Sequence, residues 1–330
     1  MSDLAMLMES VAVDPLIDHP ADFHVFHQFL ERCKAMPSLS TAVCWPLSEV
    51  SLRGAIEAAV AGIIKPVLLG PRDQLRALAK TIGADISGYL IVNASTEEQA
   101  ALIGVGMCRD GRTQAMMKGS LHTDELMRAV INRDTGLRTS RRISHVFVMD
   151  TPAYARTVLI TDAAINIEPD LDDKVHIVQN AVDLAHALGI PEPKVALLSA
   201  IEMVNPKIKS TLDAAALCKM AERGQITGAV LDGPLAFDTA VSAKAAQIKG
   251  LVSPVAGQAD ILVVPDLESG NMLAKQLEYL GGAQLAGIVL GAKVPVILTS
   301  RADSAATRLT SCAVALLLHY ANSPIDRERI

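Results

Sequence analysis

A hydroxyl, a guanidinium and a carboxylate fall close together in Thr299-Ser300-Arg301-Ala302-Asp303-Ser304, just after an apolar run and just before a segment with helical spacing. A helix that starts there leaves its first N–H groups unpaired, so Ser300 and Arg301 beside it would hold an oxyanion bidentately. The plainer alternative is an N-cap made by Ser300 or Asp303, with Arg301 on the surface. Pro265-Asp266-Leu267-Glu268-Ser269-Gly270-Asn271 repeats the strand-to-helix arrangement. It is a place for an anion or polar ligand, or else an ordinary cap by Asp266 and Ser269. Lys118-Gly119-Ser120 offers a cation beside a sterically open backbone, and Asp232-Gly233-Pro234-Leu235 reads as a further strand-end turn. Arg141-Arg142 precedes the run at His145, where two cations would neutralise phosphate or simply remain solvated.

Such loops need a frame, and the chain alternates short apolar or β-branched runs with longer segments of helical spacing. That is the pattern of an α/β protein with a largely parallel sheet. Strands are expected at Pro66–Leu69, Tyr89–Asn93, Val195–Ser199, Ala229–Asp232, Ile261–Pro265, Gly287–Gly291 and Val294–Ser300. Helices are expected at Lys174–Leu188, Leu212–Arg223 and Asp303–Tyr320, each with an apolar stripe. His145–Asp150 and Thr157–Asp162 are joined by too few residues for a parallel crossover and should pair antiparallel. A domain change is placed near residue 150. In open α/β sheets ligands bind outside the carboxyl ends of the strands, where the loops within 253–308 would lie.

The chain has 330 residues, half of them hydrophobic, which suits two domains. A formal charge of -6 gives no positive field to hold a nucleic acid. No apolar run reaches membrane-spanning length, and the N-terminus, with Asp3 and Glu9, has no basic region of an export signal. Five scattered cysteines suggest neither a disulfide framework nor a metal site and fit a reducing cytoplasm. The phosphate-binding G-x-x-x-x-G-K-[ST] loop, the G-x-S-x-G elbow and the H-E-x-x-H zinc motif are all missing, so ATPase, serine hydrolase and zincin chemistry fall away. The histidines never stand at ligand spacing, and no metal is expected.

The segments DGPLAFD (232–238), SPVAGQADILVVPDLESGNMLAKQ (253–276) and PVILTSR (295–301) resemble the phosphate acetyl/butyryltransferase family in order and separation. MKGSLHT (117–123), RRISHVFVMD (141–150), TDAAINIEPDLDDK (161–174) and ALLSAIEMVNPKIKSTLDA (196–214) fit it as well. The resemblance runs from about residue 50 onward, and the first forty residues carry none of it.

The resemblance implies two αβα sandwich domains with mostly parallel sheets and an active-site cleft between them. Residues 1–150 plus 301–330 would form the first domain and 151–300 the second, in a homodimer. It implies direct attack of phosphate on acyl-CoA in a ternary complex, without an acyl-enzyme and with no cofactor beyond coenzyme A as substrate or product. Phosphate is already nucleophilic near neutral pH, so positioning and oxyanion stabilisation would carry the rate. Ser300 would then bond the thioester sulfur or the developing oxyanion, and Arg301 the phosphate or carbonyl. Arg142, Lys118 and Asn166 would be further phosphate or carbonyl ligands, and Asp266 and Asn271 further substrate contacts. The better-known acetyltransferase branch has a proton-exchanging carboxylate two turns after this serine, where Thr307 stands here; Asp303 is the nearest substitute. Acetyl is slightly preferred to butyryl as the acyl group. The alternatives are an acyl-carrier-protein phosphate acyltransferase, a metal-dependent decarboxylating dehydrogenase, for which the clustered aspartates are missing, and an inactive coenzyme A-binding regulatory protein.

Overall fold

The computed structural model describes residues 24–300 and 303–321. Arg301, and the N-terminal residues read for an export signal, lie outside the described residues.

The described strands are β1 (Leu39–Cys44), β2 (Ile64–Leu69), β3 (Leu90–Val92), β4 (Ala115–Lys118), β5 (Ser144–Thr151), β6 (Tyr154–Thr161), β7 (Lys194–Leu198), β8 (Val230–Leu235), β9 (Ile261–Val263), β10 (Gln284–Leu290) and β11 (Val296–Ile297). They form one sheet in the order β3-β2-β1-β4-β11-β10-β5-β6-β9-β7-β8. Pairing is parallel in both flanks and antiparallel in the centre, where β11, β10, β5 and β6 alternate direction. The short link between β5 and β6 explains the last of these pairs. Thr151 stands opposite Tyr154, so only Pro152 and Ala153 make the turn, and a hairpin is the sole connection that short.

Alternation along each strand decides which face is covered by what. In β5, Val146 and Val148 point into one cluster with Ile297, Ile288, Met117 and Leu197, covered by the helices His24–Cys33, Glu49–Val60, Leu171–Leu188, Lys209–Glu222 and Ala305–Ala321. This cluster runs across both halves of the sheet. The opposite face carries two separate clusters. One holds Cys44, Met116, Val296 and Leu298 under the helices Glu97–Arg109 and Thr123–Val130. The other holds Phe147, Ile160, Leu262 and Ala196 under the helix Leu267–Tyr279. The last helix, Ala305–Ala321, packs on the helices His24–Cys33 and Glu49–Val60 and on β10. Its apolar stripe is therefore buried almost entirely, from Cys312 to Leu318.

Two expectations need correction. The turn expected at Asp232–Leu235 lies within β8, which runs to Leu235 beside an irregular register on β7. Pro234, which lacks an N–H, is accommodated because β8 is an edge strand. The run Val294–Ser300 pairs only over Val296–Ile297, because the carbonyls of Thr299 and Ser300 accept from side chains rather than from a neighbouring strand. Strands β1 and β4 were not expected. β4 reads Ala-Met-Met-Lys and has no β-branched residue to mark it.

Candidate active site

β4 and β11 are parallel neighbours, with Met117 opposite Ile297, so their carboxyl ends emerge together. Lys118 ends one and the Thr299–Ser300 turn follows the other. Lys118 is 2% exposed, and its Nζ donates to the Thr299 carbonyl at 3.3 Å. Asp303, 3% exposed, accepts the Ser300 backbone N–H on Oδ2 at 2.7 Å. Arg308 reaches back from the last helix, donating Nη1 to Thr299 Oγ1 at 2.6 Å and Nη2 to the Ser300 carbonyl at 2.9 Å. Ser300 itself is exposed. Two cations and a carboxylate thus fix the turn from behind while the serine faces outward.

The antiparallel β5–β6 pair builds a second group. Val146 opposes Thr161, so the residues just before β5 meet those just after β6. Arg142 Nε donates to Asn166 Oδ1 at 2.8 Å, and its Nη1 stands 3.0 Å from Asp173 Oδ1. The Asn166 Nδ2 donates to Asp162 Oδ2 at 2.6 Å and to the Ile143 carbonyl at 2.9 Å. Asp162 Oδ1 in turn accepts the N–H groups of Ala164 and Ile165, closing a tight turn.

The helix Leu267–Tyr279 touches both groups. Asp266 is its N-cap, accepting from Ser269 N at 2.8 Å and Ser269 Oγ at 2.7 Å, so the capping reading of this residue is realised. Gly270 lets the helix sit against β6, since a Cβ there would lie 2.7 Å from Val264 Cγ2 and 2.9 Å from the Asp162 carbonyl. One residue on, Asn271 Nδ2 donates to the Ala163 carbonyl at 3.3 Å. One turn further, Lys275 Nζ lies 3.8 Å from Asp303 Oδ1. Residues four apart share a helix face, so Asn271 and Lys275 link the Asp162 turn to the Ser300 turn.

Burial sets the electrostatics. It pushes the Asp303 carboxyl above the ordinary carboxylate range, although the Ser300 N–H and Lys275 pull the other way. Partial burial works against the Lys275 charge, yet Glu278 at 2.8 Å and Asp303 beyond it carry its pKa upward. At this pair burial of the carboxylate outweighs the attraction, because Asp303 is almost inaccessible and Lys275 is not. Asp162 is likewise raised by burial, against its four backbone and side-chain donors. The guanidinium of Arg308 is lowered by burial. His145, in the central strand β5, is fully buried with no well-formed hydrogen bond on either ring nitrogen, and burial holds its pKa down at about 3.

Lys118, Ser300 and Asp303 are therefore brought together, as are Arg142 and Asn166, with Asn271 between the groups and Asp266 at the helix start. Arg308, Lys275 and Asp162 were missed. For Arg308 a signal existed, since it sits three residues after Ala305 and four before Cys312, on the apolar stripe of the last helix. Among the described residues no three His, Cys, Asp or Glu side chains gather as a metal site would need, and no helix is long and apolar enough to cross a membrane.

Comparison with known proteins bears directly on this arrangement. A family profile described as phosphate acetyl/butaryl transferase matches residues 96–316, which include Lys118, Arg142, Asn166, Ser300 and Asp303. The chain belongs to that family. It is 57% identical to the phosphate acetyltransferase of Rhizobium meliloti over 90% of this chain and 94% of the relative. It is 42% identical to the phosphate butyryltransferase of Clostridium acetobutylicum over 89% of this chain and 97% of the relative. Among solved structures, a branched-chain phosphotransacylase from Enterococcus faecalis V583 superposes with a TM-score of 0.75 at 31% identity, covering 86% of this chain and 99% of the other.

Proposed function

We propose that this chain is a phosphate acetyltransferase, which moves an acetyl group reversibly between coenzyme A and inorganic phosphate. The observation that carries the reading is the Thr299–Ser300 turn, clamped by two buried cations and a buried carboxylate, in a chain so similar to a phosphate acetyltransferase. A phosphate oxygen attacks the thioester carbonyl, a tetrahedral oxyanion forms, and the coenzyme leaves as its thiol after taking one proton. Ser300 bonds the sulfur or the oxyanion, and Arg301 holds phosphate or carbonyl. Arg142, oriented by the Asn166 amide, brings charge to phosphate, Lys118 adds positive charge from behind the turn, and Asn271 and Asp266 border the coenzyme. Asp303 exchanges the thiol proton; its Oδ1 is buried and has no hydrogen-bond donor among the described residues, so it reaches the thiol when the Ser300 turn shifts on substrate binding. Its raised proton affinity suits that exchange. Two lobes, 1–150 with 301–330 and 151–300, would close on the substrates in a cytoplasmic homodimer. No further cofactor enters.

The likeness to the Clostridium enzyme supports butyryl as the second acyl group. The test is release of coenzyme A thiol from acetyl-, propionyl- and butyryl-CoA, with and without phosphate, on wild type, Ser300→Ala and Arg301→Ala. Phosphate-dependent release, fastest with acetyl-CoA and lost in both variants, is expected. Phosphate-independent release would sink direct transfer, and tight coenzyme binding without acyl phosphate formation would favour a regulatory protein.

A further inference from the structure

We infer that Arg308 is a positioning residue for acyl transfer, fixing the Ser300 peptide from inside the fold, and that Gly54 is the space it requires. The inference rests on the acyl-transfer reading above and assigns a role to two residues that never meet substrate. Arg308 is 1% exposed. Its guanidinium donates to two neutral oxygens, Thr299 Oγ1 and the Ser300 carbonyl, while its Nε has no partner. Among the described residues no carboxylate oxygen lies within 4.0 Å of it. A buried cation on neutral acceptors is a poor way to gain stability, and a packed apolar residue would serve the core better. What the arrangement does achieve is geometric. The Ser300 N–H is held by Asp303 and its carbonyl by Arg308. With both ends of the residue fixed, the Cα–Cβ bond of Ser300 has one direction, and the hydroxyl is confined to the few staggered positions about it. The planar fork matters as well as the charge, because it spans two acceptors on successive residues.

The path of the arginine stem depends on the neighbouring helix. Gly54 lies in Glu49–Val60, and a Cβ there would stand 2.7 Å from Arg308 Cδ and 3.0 Å from Arg308 Cβ. Glycine is unfavourable inside a helix, so its presence under this stem has a steric reason. A methyl group at 54 would displace Arg308, and with it the Ser300 carbonyl, although no atom of residue 54 faces the site.

The experiment measures kcat, the KM values for acetyl-CoA and phosphate, calorimetric coenzyme A binding and the thermal midpoint. It compares wild type with Arg308→Lys, Arg308→Ala, Gly54→Ala and Gly54→Ala/Arg308→Ala, well below every midpoint. Misplacing a reacting group by about 1 Å removes up to roughly a hundredfold in rate. A kcat loss of about tenfold to a hundredfold is therefore expected in each single variant, with KM values and coenzyme affinity within about threefold. Arg308→Lys should fall nearly as far as Arg308→Ala, since it keeps charge and loses the fork. Gly54→Ala should add little further loss once Arg308 is alanine. Folded single variants with unchanged kcat overturn the inference, as do losses confined to KM. If Arg308→Ala does not fold, Gly54→Ala alone decides by the same criterion. A wild type without phosphate-dependent thiol release removes the acyl-transfer reading first, and this inference with it.

Discussion

Asp303 Oδ2 accepts the backbone N–H of Ser300 at 2.7 Å, while its other oxygen faces Lys275 at 3.8 Å and receives no hydrogen bond among the described residues. One carboxylate therefore does two separable things. Asp303→Asn keeps an acceptor for the Ser300 N–H and loses the proton-exchanging group; Asp303→Ala loses both. General acid–base groups typically contribute about a hundredfold or more, so kcat for the asparagine variant should fall by roughly that factor at nearly unchanged thermal midpoint. The alanine variant should lose stability as well, by about 1 kcal/mol for the hydrogen bond to the Ser300 N–H that it removes. Burial raises the Asp303 pKa above its ordinary 3.8. The folded chain thus binds this proton more tightly than the unfolded chain, a contribution that favours folding at low pH and is lost as pH rises through the raised value. Full activity in Asp303→Asn would leave the residue only a brace for the Ser300 N–H.

His145 gives the opposite sign. Its ordinary pKa is 6.5 and burial takes it to about 3 in the fold, so the folded chain keeps it neutral where the unfolded chain protonates it. Its contribution is present above pH 6.5 and lost as pH falls toward 3, at about 1.4 kcal/mol per pH unit for one proton. His145→Leu should therefore show a shallower loss of stability on acidification. Urea unfolding of both proteins on either side of neutrality checks this, and parallel curves for the two would refute it.

The Asn166 amide bridges two groups that a carboxylate could not. Its Nδ2 donates to Asp162 Oδ2 at 2.6 Å, and Asp162 is already raised by burial. Asn166→Asp sets two carboxylates against each other there, so one must take a proton. The variant should lose about 2–4 kcal/mol at neutral pH through an unsatisfied buried charge. That loss should shrink as pH falls, since the raised folded pKa of the pair makes its contribution favourable below it. It should also raise the KM for phosphate, because Arg142 is oriented by the same amide. A pH-independent loss of stability would contradict the argument.

Much of this frame was legible because its signals are local. Seven strands, the β5–β6 hairpin and the long helices with apolar stripes announce themselves by period and by link length. The Ser300 turn stood out because a hydroxyl, a cation and a helix start coincide in sequence. The clamp behind it did not, because it is assembled from distant pieces: Lys118 from another strand, Lys275 from another helix, Gly54 from a third. Arg308 interrupts an apolar stripe, which marks it as unusual but gives no hint that its partners are Thr299 and Ser300. Asp266 shows the converse, since its local pattern announced a cap and a cap is what it forms.

Gly270 tests whether the helix Leu267–Tyr279 must sit where it does. Replacing a helix-interior glycine by alanine ordinarily stabilises by about 0.5–1 kcal/mol. Here the new methyl would lie 2.7 Å from Val264 Cγ2, 2.9 Å from the Asp162 carbonyl and 3.1 Å from Ala163 Cα. Two of those neighbours are backbone, held in the Asp162 turn, so the helix rather than the strand must yield. Overpacking of this kind costs about 1–3 kcal/mol, which reverses the usual sign. The shift also carries Asn271 away from Ala163 and Lys275 away from Asp303, since both stand on the face that is pushed out. Gly270→Ala should accordingly lower the thermal midpoint and reduce kcat together, whereas Gly106→Ala, in the helix Glu97–Arg109 with nothing within 4 Å of its Cβ position, should leave kcat unchanged. A Gly270→Ala protein as stable and as active as wild type would show that this helix can move without disturbing the site.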